Sequence, residues 1–431
     1  MEGGCSKIGK VSNGMGTFQL KSVLVHNDAG DWGTEPDVNA IGIIRSTNFN
    51  NNGKLDLSDI AYRTLSPQKL EEKILNTSDI LIERSGGSDT QPVGRVGFIT
   101  DTIAKGHYAF ANFIQRITLD NTVDPKFVYY CLQQLYEMGV TASMQFQTTG
   151  IRNLDWKFYL KTILPKPTKA EQTAIANILS KVDEAIVSVQ NSIAAAERLK
   201  KSLMQNLLTG KMKPDGTFRT PEEFYIDKKF GKVPVGWEVK SIDEISDFVQ
   251  YGLNSSSSDN GQIPMLRMNN IINGEMSDSP LVYVNLNDQL LKQYELKAGD
   301  ILFNRTNSMD LVGKVGVFRL TGKYVFASYL IRVRVSKENN PYYINLALNS
   351  YPIQCSLRSK ATPAVSQANI NSKSLRHTLI LKPKKKAEQD LVMSKIEEVE
   401  HVILQKNDKV KKLERLKKSL MQNLLTGKVR I

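Results

Sequence analysis

Fifteen residues of this chain occur twice, and no other feature narrows the possible folds as much. Glu197–Lys211 reads ERLKKSLMQNLLTGK, and Glu414–Lys428 reads the same. The offset of 217 positions also carries Ala170-Glu171-Gln172 onto Ala387-Glu388-Gln389, so one register holds from Ala170 to Lys211 without a gap. Identity of that length marks two copies of one unit, and the architecture must repeat with it.

Between those anchors each copy reads as one long helix. Ile175, Leu179, Val182, Ile186, Val189, Ile193 and Ala196 step by four and three, an apolar coiled-coil seam. Val392, Ile396, Val399, Ile403, Val410 and Leu413 repeat it, with Lys406 as a polar break opposite Val189. The seam is expected to continue through Leu199, Leu203 and Leu207, and through Leu416, Leu420 and Leu424. Thr168-x-x-Glu171 has the form of a capping box, absent from the second copy, where Lys385 replaces Thr168. Gly210 and Gly427 fall where a left-handed C-cap residue belongs. A helix from Glu171 to Thr209 would run roughly 58 Å at about 1.5 Å per residue. An apolar stripe of that length needs cover. Two copies joined head to tail supply it by pairing antiparallel about a pseudo-twofold axis.

The segments before each helix are related more loosely. Asp79-Ile-Leu-Ile-Glu-Arg84 parallels Asp300-Ile-Leu-Phe-Asn-Arg305, and Val93-Gly-Arg-Val-Gly-Phe98 parallels Val312-Gly-Lys-Val-Gly-Val317. Tyr108-Ala-Phe-Ala parallels Tyr324-Val-Phe-Ala. Such alternating apolar stretches, bounded by Gly, Asn and Asp, read as short strands. Asp124-Pro125 and Asn340-Pro341 read as helix N-caps followed by proline at the first helical position. The expectation is an α+β chain: variable domains at residues 1–167 and 212–384, alternating with long helices at 168–211 and 385–431.

A net charge of +13 and a pI near 9.3 favour a polyanionic partner, because Lys and Arg gain affinity by releasing counterions from phosphates. No apolar run is long enough to span a membrane, and the first ten residues lack the apolar core of a secretory signal, so a cytoplasmic location is expected. Cys5, Cys131 and Cys355 are too far apart for a zinc motif, and the 4 histidines show no ligand spacing. Gly94-x-x-Gly97 and Gly313-x-x-Gly316 lack the helix and lysine of a phosphate-binding loop and read as strand turns. Asn340-Pro-Tyr-Tyr lacks the second proline of an amino-methyltransferase motif. No catalytic cluster, metal site or cofactor loop is expected, and the chain reads as a non-enzyme.

Groups able to bond base edges and phosphates stand in the loops between the expected strands. In the first domain they are Arg45, Asn48, Arg84, Ser85, Lys105, Tyr108, Thr148 and Arg152. In the second they are Arg267, Asn269, Asn270, Arg305, Thr306, Asn307, Lys323, Tyr324, Lys360 and Gln367. Recurrence at matching places favours Arg45/Arg267 and Arg84/Arg305 as DNA-binding groups. An ion pair with a nearby carboxylate is the alternative for each.

The order of variable domain, long helix, variable domain, long helix resembles the specificity subunits of type I restriction-modification systems over essentially the whole chain. Leu164-Pro-Lys-Pro-Thr-Lys-Ala-Glu-Gln172 is similar to that family's entry into its conserved helix, as is Leu381-Lys-Pro with Ala387-Glu-Gln389. Leu203-Met-Gln-Asn-Leu-Leu-Thr-Gly210 and its copy are similar to the exit. Val233-Pro-Val-Gly-Trp237 resembles the opening of a target-recognition domain, which the first domain lacks. The resemblance implies that each domain reads one half of a split site in double-stranded DNA. It implies too that two methyltransferase subunits dock around the paired helices and that two restriction (translocase-nuclease) subunits complete the complex. The competing readings are a structural adaptor dimerising through a coiled coil, and a fused methyltransferase-nuclease. The basic charge opposes a sugar-binding adaptor, and the missing catalytic motifs oppose the enzyme.

Overall fold

A computed structural model describes residues 11–12, 14–88, 91–148, 150–363 and 367–431; Cys5 lies outside them. Both long helices form, over Lys169–Leu208 and Lys386–Leu424. Gly210 and Gly427 follow them with φ of +65° and +71°, the left-handed conformation that closes a helix at no cost to a residue without Cβ. At the first helix start the reciprocal cap is present. The Glu171 N–H donates to Thr168 Oγ1 at 3.3 Å, and the Thr168 N–H donates to Glu171 Oε2 at 3.0 Å.

The chain divides into two compact units, Met1–Asn191 with Asn407–Ile431, and Ser192–Lys406. Each unit holds the first half of one long helix and the last half of the other, paired antiparallel. In the first unit Lys417 Nζ lies 2.9 Å from Asp183 Oδ1, and in the second Lys200 Nζ lies 2.6 Å from Glu400 Oε1. In the repeat register Lys417 is the copy of Lys200 and Glu400 the copy of Asp183. Each ion pair is therefore the counterpart of the other in the repeat.

The seam buries Ile175 and Leu179 with Met421, Leu424 and Leu425 in the first unit, and Val392 and Ile396 with Leu207 in the second. One expectation fails. Leu199 and Leu416 are 52% and 47% exposed. Strict alternation of four and three from Ile193 and Ala196 leads to Lys200, one residue further on, and the same stepping in the second copy leads to Lys417. The lysines turn inward to their carboxylates and the leucines turn out.

The repeated Ala-Glu-Gln has a structural cause. Gln172 and Gln389 are buried, and each Oε1 accepts the backbone N–H of a helix cap, from Asp124 and from Asn340, both at 2.8 Å. Each Nε2 donates to a proline carbonyl, of Pro167 or Pro383, at 3.0 Å. Asp124 and Asn340 do cap helices that open with proline, Pro125–Glu137 and Pro341–Leu348. One amide thus locks each long helix to the domain before it.

Both domains are built around the same antiparallel order. In the first it is Leu24–Ala29, Ile114–Leu119, Ile80–Glu83, Val96–Phe98. In the second it is Ser246–Tyr251, Leu330–Val335, Ile301–Asn304, Val315–Val317, with two short strands added beyond. A smaller sheet pairs Ile41–Ile44 parallel with Ala109–Phe110, and Ile263–Leu266 parallel with Val325–Phe326. The first domain has its own opening strand without the proline-glycine-tryptophan signature: Gly16–Gln19 pairs with Ile163–Lys166 as Trp237–Ser241 pairs with Leu379–Pro383. Among the described residues no helix is long and apolar enough to cross a membrane.

Candidate nucleic-acid interface

Three strand ends and one hairpin converge in each domain. In the first, Arg45 follows Ile41–Ile44, Arg84 follows Ile80–Glu83, Phe113 follows Ala109–Phe110, and the strands Gln145–Thr148 and Ile151–Leu154 form the hairpin. Backbone bonds tie them. The Arg84 N–H donates to the Phe113 carbonyl at 2.8 Å, and the Leu154 N–H donates to the Arg84 carbonyl at 2.8 Å. Ser46 Oγ donates to the Ser85 carbonyl at 3.4 Å, and Ser85 Oγ to Asn153 Oδ1 at 2.6 Å.

The second domain repeats this frame with other side chains. The Arg305 N–H donates to the Tyr329 carbonyl at 3.0 Å, and the Ile370 N–H donates to the Arg305 carbonyl at 2.9 Å. Asn369 Nδ2 donates to Thr306 Oγ1 at 2.8 Å, and Asn307 Nδ2 reaches the sulfur of Met268 at 3.5 Å.

The arginines differ in how they are held. Arg45 pairs with Asp59 at 2.9 Å, whereas Arg267, its counterpart, has no ionic partner among the described residues. Arg84 is exposed; Arg305 is half-buried, with its guanidinium 4.9 Å from the centroid of the Tyr251 ring. The Nε–H groups of Arg45, Arg267 and Arg305 are buried, with no hydrogen-bond partner among the described residues. Arg152 Nη1 donates to the Ser88 carbonyl at 2.7 Å.

Several expected residues stand elsewhere or do other things. Asn48 and Asn270 are buried, and each Oδ1 accepts the N–H of the arginine three residues before, at 2.9 Å. Their amide nitrogens donate to the carbonyls of Asp56 and Pro280 at 2.8 and 2.9 Å. They shape the turns that carry the arginines, and both are buried. Lys105 and Tyr108 precede Ala109–Phe110, and Lys323 and Tyr324 precede Val325–Phe326, so parallel pairing puts all four at the strand ends away from the cluster. Tyr108 and Tyr324 are half-buried packing residues, the latter 5.6 Å from the ring of Phe318. Asn269, Lys360 and Gln367 are exposed, and Thr306 and Asn307 are half-buried. Thr148 stands in its strand, with its side chain outside the described residues.

Two groups escaped the sequence reading. The first is a buried clamp, in which Arg95 Nε and Nη2 donate to the two oxygens of Glu83 at 2.8 and 2.6 Å. Arg95 also donates to the carbonyls of Ser46 and Phe49, fixing the turn that carries Arg45. Burial pushes the Glu83 carboxyl up, against the pull of Arg95. The available signal was a paired departure from the repeat, since Asn304 and Lys314 stand at these places in the second domain. The second group is the buried pair Arg116 and Arg332, whose guanidinium groups lie 5.3 and 5.1 Å over the rings of Phe110 and Phe326.

The sequence matches the type I restriction modification DNA specificity domain twice, over residues 33–198 and 234–415. The chain belongs to that family. This member of the type I specificity family is 26% identical to the type I restriction enzyme MjaVIII specificity subunit of Methanocaldococcus jannaschii, across 84% of this chain and 81% of the relative. It is 22% identical to the EcoKI specificity subunit of Escherichia coli, across 81% and 73%. In fold it is similar to the crystal structure of a type I restriction-modification S subunit from M. genitalium, with a TM-score of 0.52, 15% identity, and coverage of 97% and 99% of the two chains.

Proposed function

We propose that this chain is the DNA specificity subunit of a type I restriction-modification complex, a non-catalytic reader whose two domains each recognise one half of a bipartite double-stranded site. One observation carries the reading. The same convergence of three strand ends and a hairpin recurs in both domains on a common backbone frame, while the side chains at its tips change. Arg45 with its Asp59 partner gives way to Arg267, Ser85 to Thr306, and Phe113 to Tyr329. A constant frame with varied polar tips is what one scaffold needs to read two different sequences, because backbone positions the protein and side chains at base edges specify.

The proposed DNA-facing groups are Arg45, Arg84, Ser85, Thr148 and Arg152 in the first domain, and Arg267, Asn269, Arg305, Thr306, Asn307 and Gln367 in the second. Lys360, which is exposed, is assigned to phosphates, while Lys105 and Lys323 stand at the strand ends away from this cluster. The target-recognition domains are residues 1–167 and 212–384, with spacer helices at 168–211 and 385–431. Leu199 and Leu416 support the assembly part of the reading. They occupy the same place in the identical fifteen-residue segments and both are exposed, so they offer two equal patches to two copies of one partner. That partner is the methyltransferase subunit, restriction subunits complete the complex, and the complex works in the cytoplasm. The test is a domain exchange. Replacing residues 1–160 with a related domain should alter one half-site in the methylome of cells carrying the complete system and leave the other intact. Alteration of both half-sites would defeat independent reading.

A further inference from the structure

Arg84 and Arg305 occupy the same place in the two domains, yet among the described residues only Arg305 lies over a ring. Its guanidinium lies 4.9 Å from the Tyr251 ring centroid, and the Tyr251 hydroxyl is held in turn by the N–H of Ser372 at 3.1 Å. The strand registers identify what the first domain has instead. Arg116 pairs with Asp28 and Arg332 with Gln250, so the next residues, Ala29 and Tyr251, correspond. The glycines that follow confirm the alignment, since Gly30 and Gly252 donate to the carbonyls of Ile114 and Leu330 at 3.1 and 3.0 Å. A methyl group at position 29 has no face to offer a guanidinium.

We infer that Tyr251 is a positioning residue that pre-organises Arg305 for a bidentate contact to a base edge, and that the first domain reads its half-site without such a device. The inference rests on the reading of these clusters as DNA-facing. A guanidinium stacked on an aromatic face keeps its plane fixed, so less side-chain freedom is lost when its fork meets a ligand. With Nε covered and unbonded, the fork that meets the base is the Nη pair. Arg84, exposed and over no ring among the described residues, must be ordered at the moment of binding, which weakens its vote on sequence relative to Arg305.

The experiment uses the full chain in complex with its methyltransferase subunits. Initial methylation rates are measured on duplexes carrying the native site or a single base change in either half-site. Tyr251→Leu keeps apolar bulk at a position that is already 41% exposed, but removes the π face. It should lower discrimination at the half-site read by the second domain by roughly three- to tenfold, the cost of ordering one long side chain on binding. Discrimination at the other half-site should not change. Tyr251→Phe, which keeps the face and loses the hydroxyl, should restore most of the loss. Tyr251→Leu added to Arg305→Ala should cost nothing further.

Unchanged discrimination in Tyr251→Leu would overturn the inference while Arg305→Ala still impairs reading. Equal damage from Tyr251→Phe would assign the effect to the Ser372 bond, and loss at both half-sites would assign it to general stability; either outcome overturns it. If Arg305→Ala itself changes nothing, the DNA-facing assignment of Arg305 fails first, and this inference fails with it.

Discussion

Arg95→Met should release the turn that presents Arg45 while leaving the second domain untouched. The substitution leaves the carboxylate of Glu83, which has no exposed surface, without its cation, and it removes the donor to the carbonyls of Ser46 and Phe49. Breaking a buried ion pair from one side typically costs about 3–5 kcal/mol, because the surviving charge stays buried and unpaired. Unfolding of a chain with two units is not a single transition, so the measurement must be local. Hydrogen exchange resolved by peptide is suitable. Protection of Ile80–Glu83 should fall by about two to four powers of ten at about 1.4 kcal/mol per tenfold, with Ile301–Asn304 as the internal control. The damage should also depend on pH in a definite sense. Burial already pushes the Glu83 carboxyl up, and without the Arg95 guanidinium only hydrogen bonds from the backbone at residue 95 and from the Ser46 side chain oppose it. A raised folded-state pKa contributes stability that is present when the group is protonated and lost as pH rises through that pKa, so the variant should suffer more at pH 8 than at pH 5. Glu83→Leu combined with Arg95→Met should cost less than Arg95→Met alone, since no unpaired charge remains. Protection within tenfold of the wild type in Arg95→Met, or a double variant worse than the single one, would refute the clamp.

Two further expectations come from the repeat and from one local network. Gly210→Ala and Gly427→Ala each place a Cβ at positive φ, which costs about 1–2 kcal/mol. At Gly210 the new atom would come 2.3 Å from the rigid ring of Pro234, adding about 1–3 kcal/mol of overpacking, whereas at Gly427 it meets the flexible tip of Met15. Hydrogen-exchange protection at the end of Lys169–Leu208 should therefore fall more in Gly210→Ala than that at the end of Lys386–Leu424 in Gly427→Ala, and equal losses from identical local sequences would contradict this packing. Lys240 beside it, helped by the N–H and hydroxyl of Ser241, holds the Glu244 carboxyl down to about 2, so its contribution to stability is present above the ordinary carboxylate range and lost as pH falls through about 2. A carboxyl-carbon titration should find that midpoint in the wild type and a higher one in Lys240→Ala; a wild-type midpoint near 4 would disprove the network.

The long helices were legible because an alternation of four and three is a property of local sequence, and its only failure is instructive. Leu199 looked like the next seam position because it is apolar, but the alternation passes through Lys200, and the geometry followed spacing over hydropathy. The inward lysine became readable only once Glu400 was known to face it. The caps were legible for the same local reason, with Thr168, Asp124 and Asn340 each acting within three residues of itself. The clusters were legible in part. That Arg45 and Arg84 follow strands can be read from alternation, but which end of a sheet a loop occupies depends on pairing between segments far apart in sequence. Parallel pairing of Ile41–Ile44 with Ala109–Phe110 sends Lys105 to the far end from Arg45, and no local pattern encodes that choice. Glu83 and Arg95 were hidden for a related reason: one ends an apolar strand and the other stands just before another, and only the antiparallel register brings them together.

The contrast between identical helix segments and divergent loops follows from which surfaces each residue must fit. Lys417 answers to Asp183 and Lys200 to Glu400, so a residue in either fifteen-residue segment is constrained by the first half of the other long helix. A change in one segment must be met by a change in the partner helix, and the two segments present the same outward face at Leu199 and Leu416. Residue 29 and its counterpart Tyr251 answer only to their own domains. Alanine stands at one and tyrosine at the other on superposable strand registers, without consequence for the sheet. Freedom of this kind at the loop tips, on a frame whose bonds run through backbone groups of Arg84, Phe113, Arg305 and Tyr329, lets two readers diverge while the helices that join them cannot.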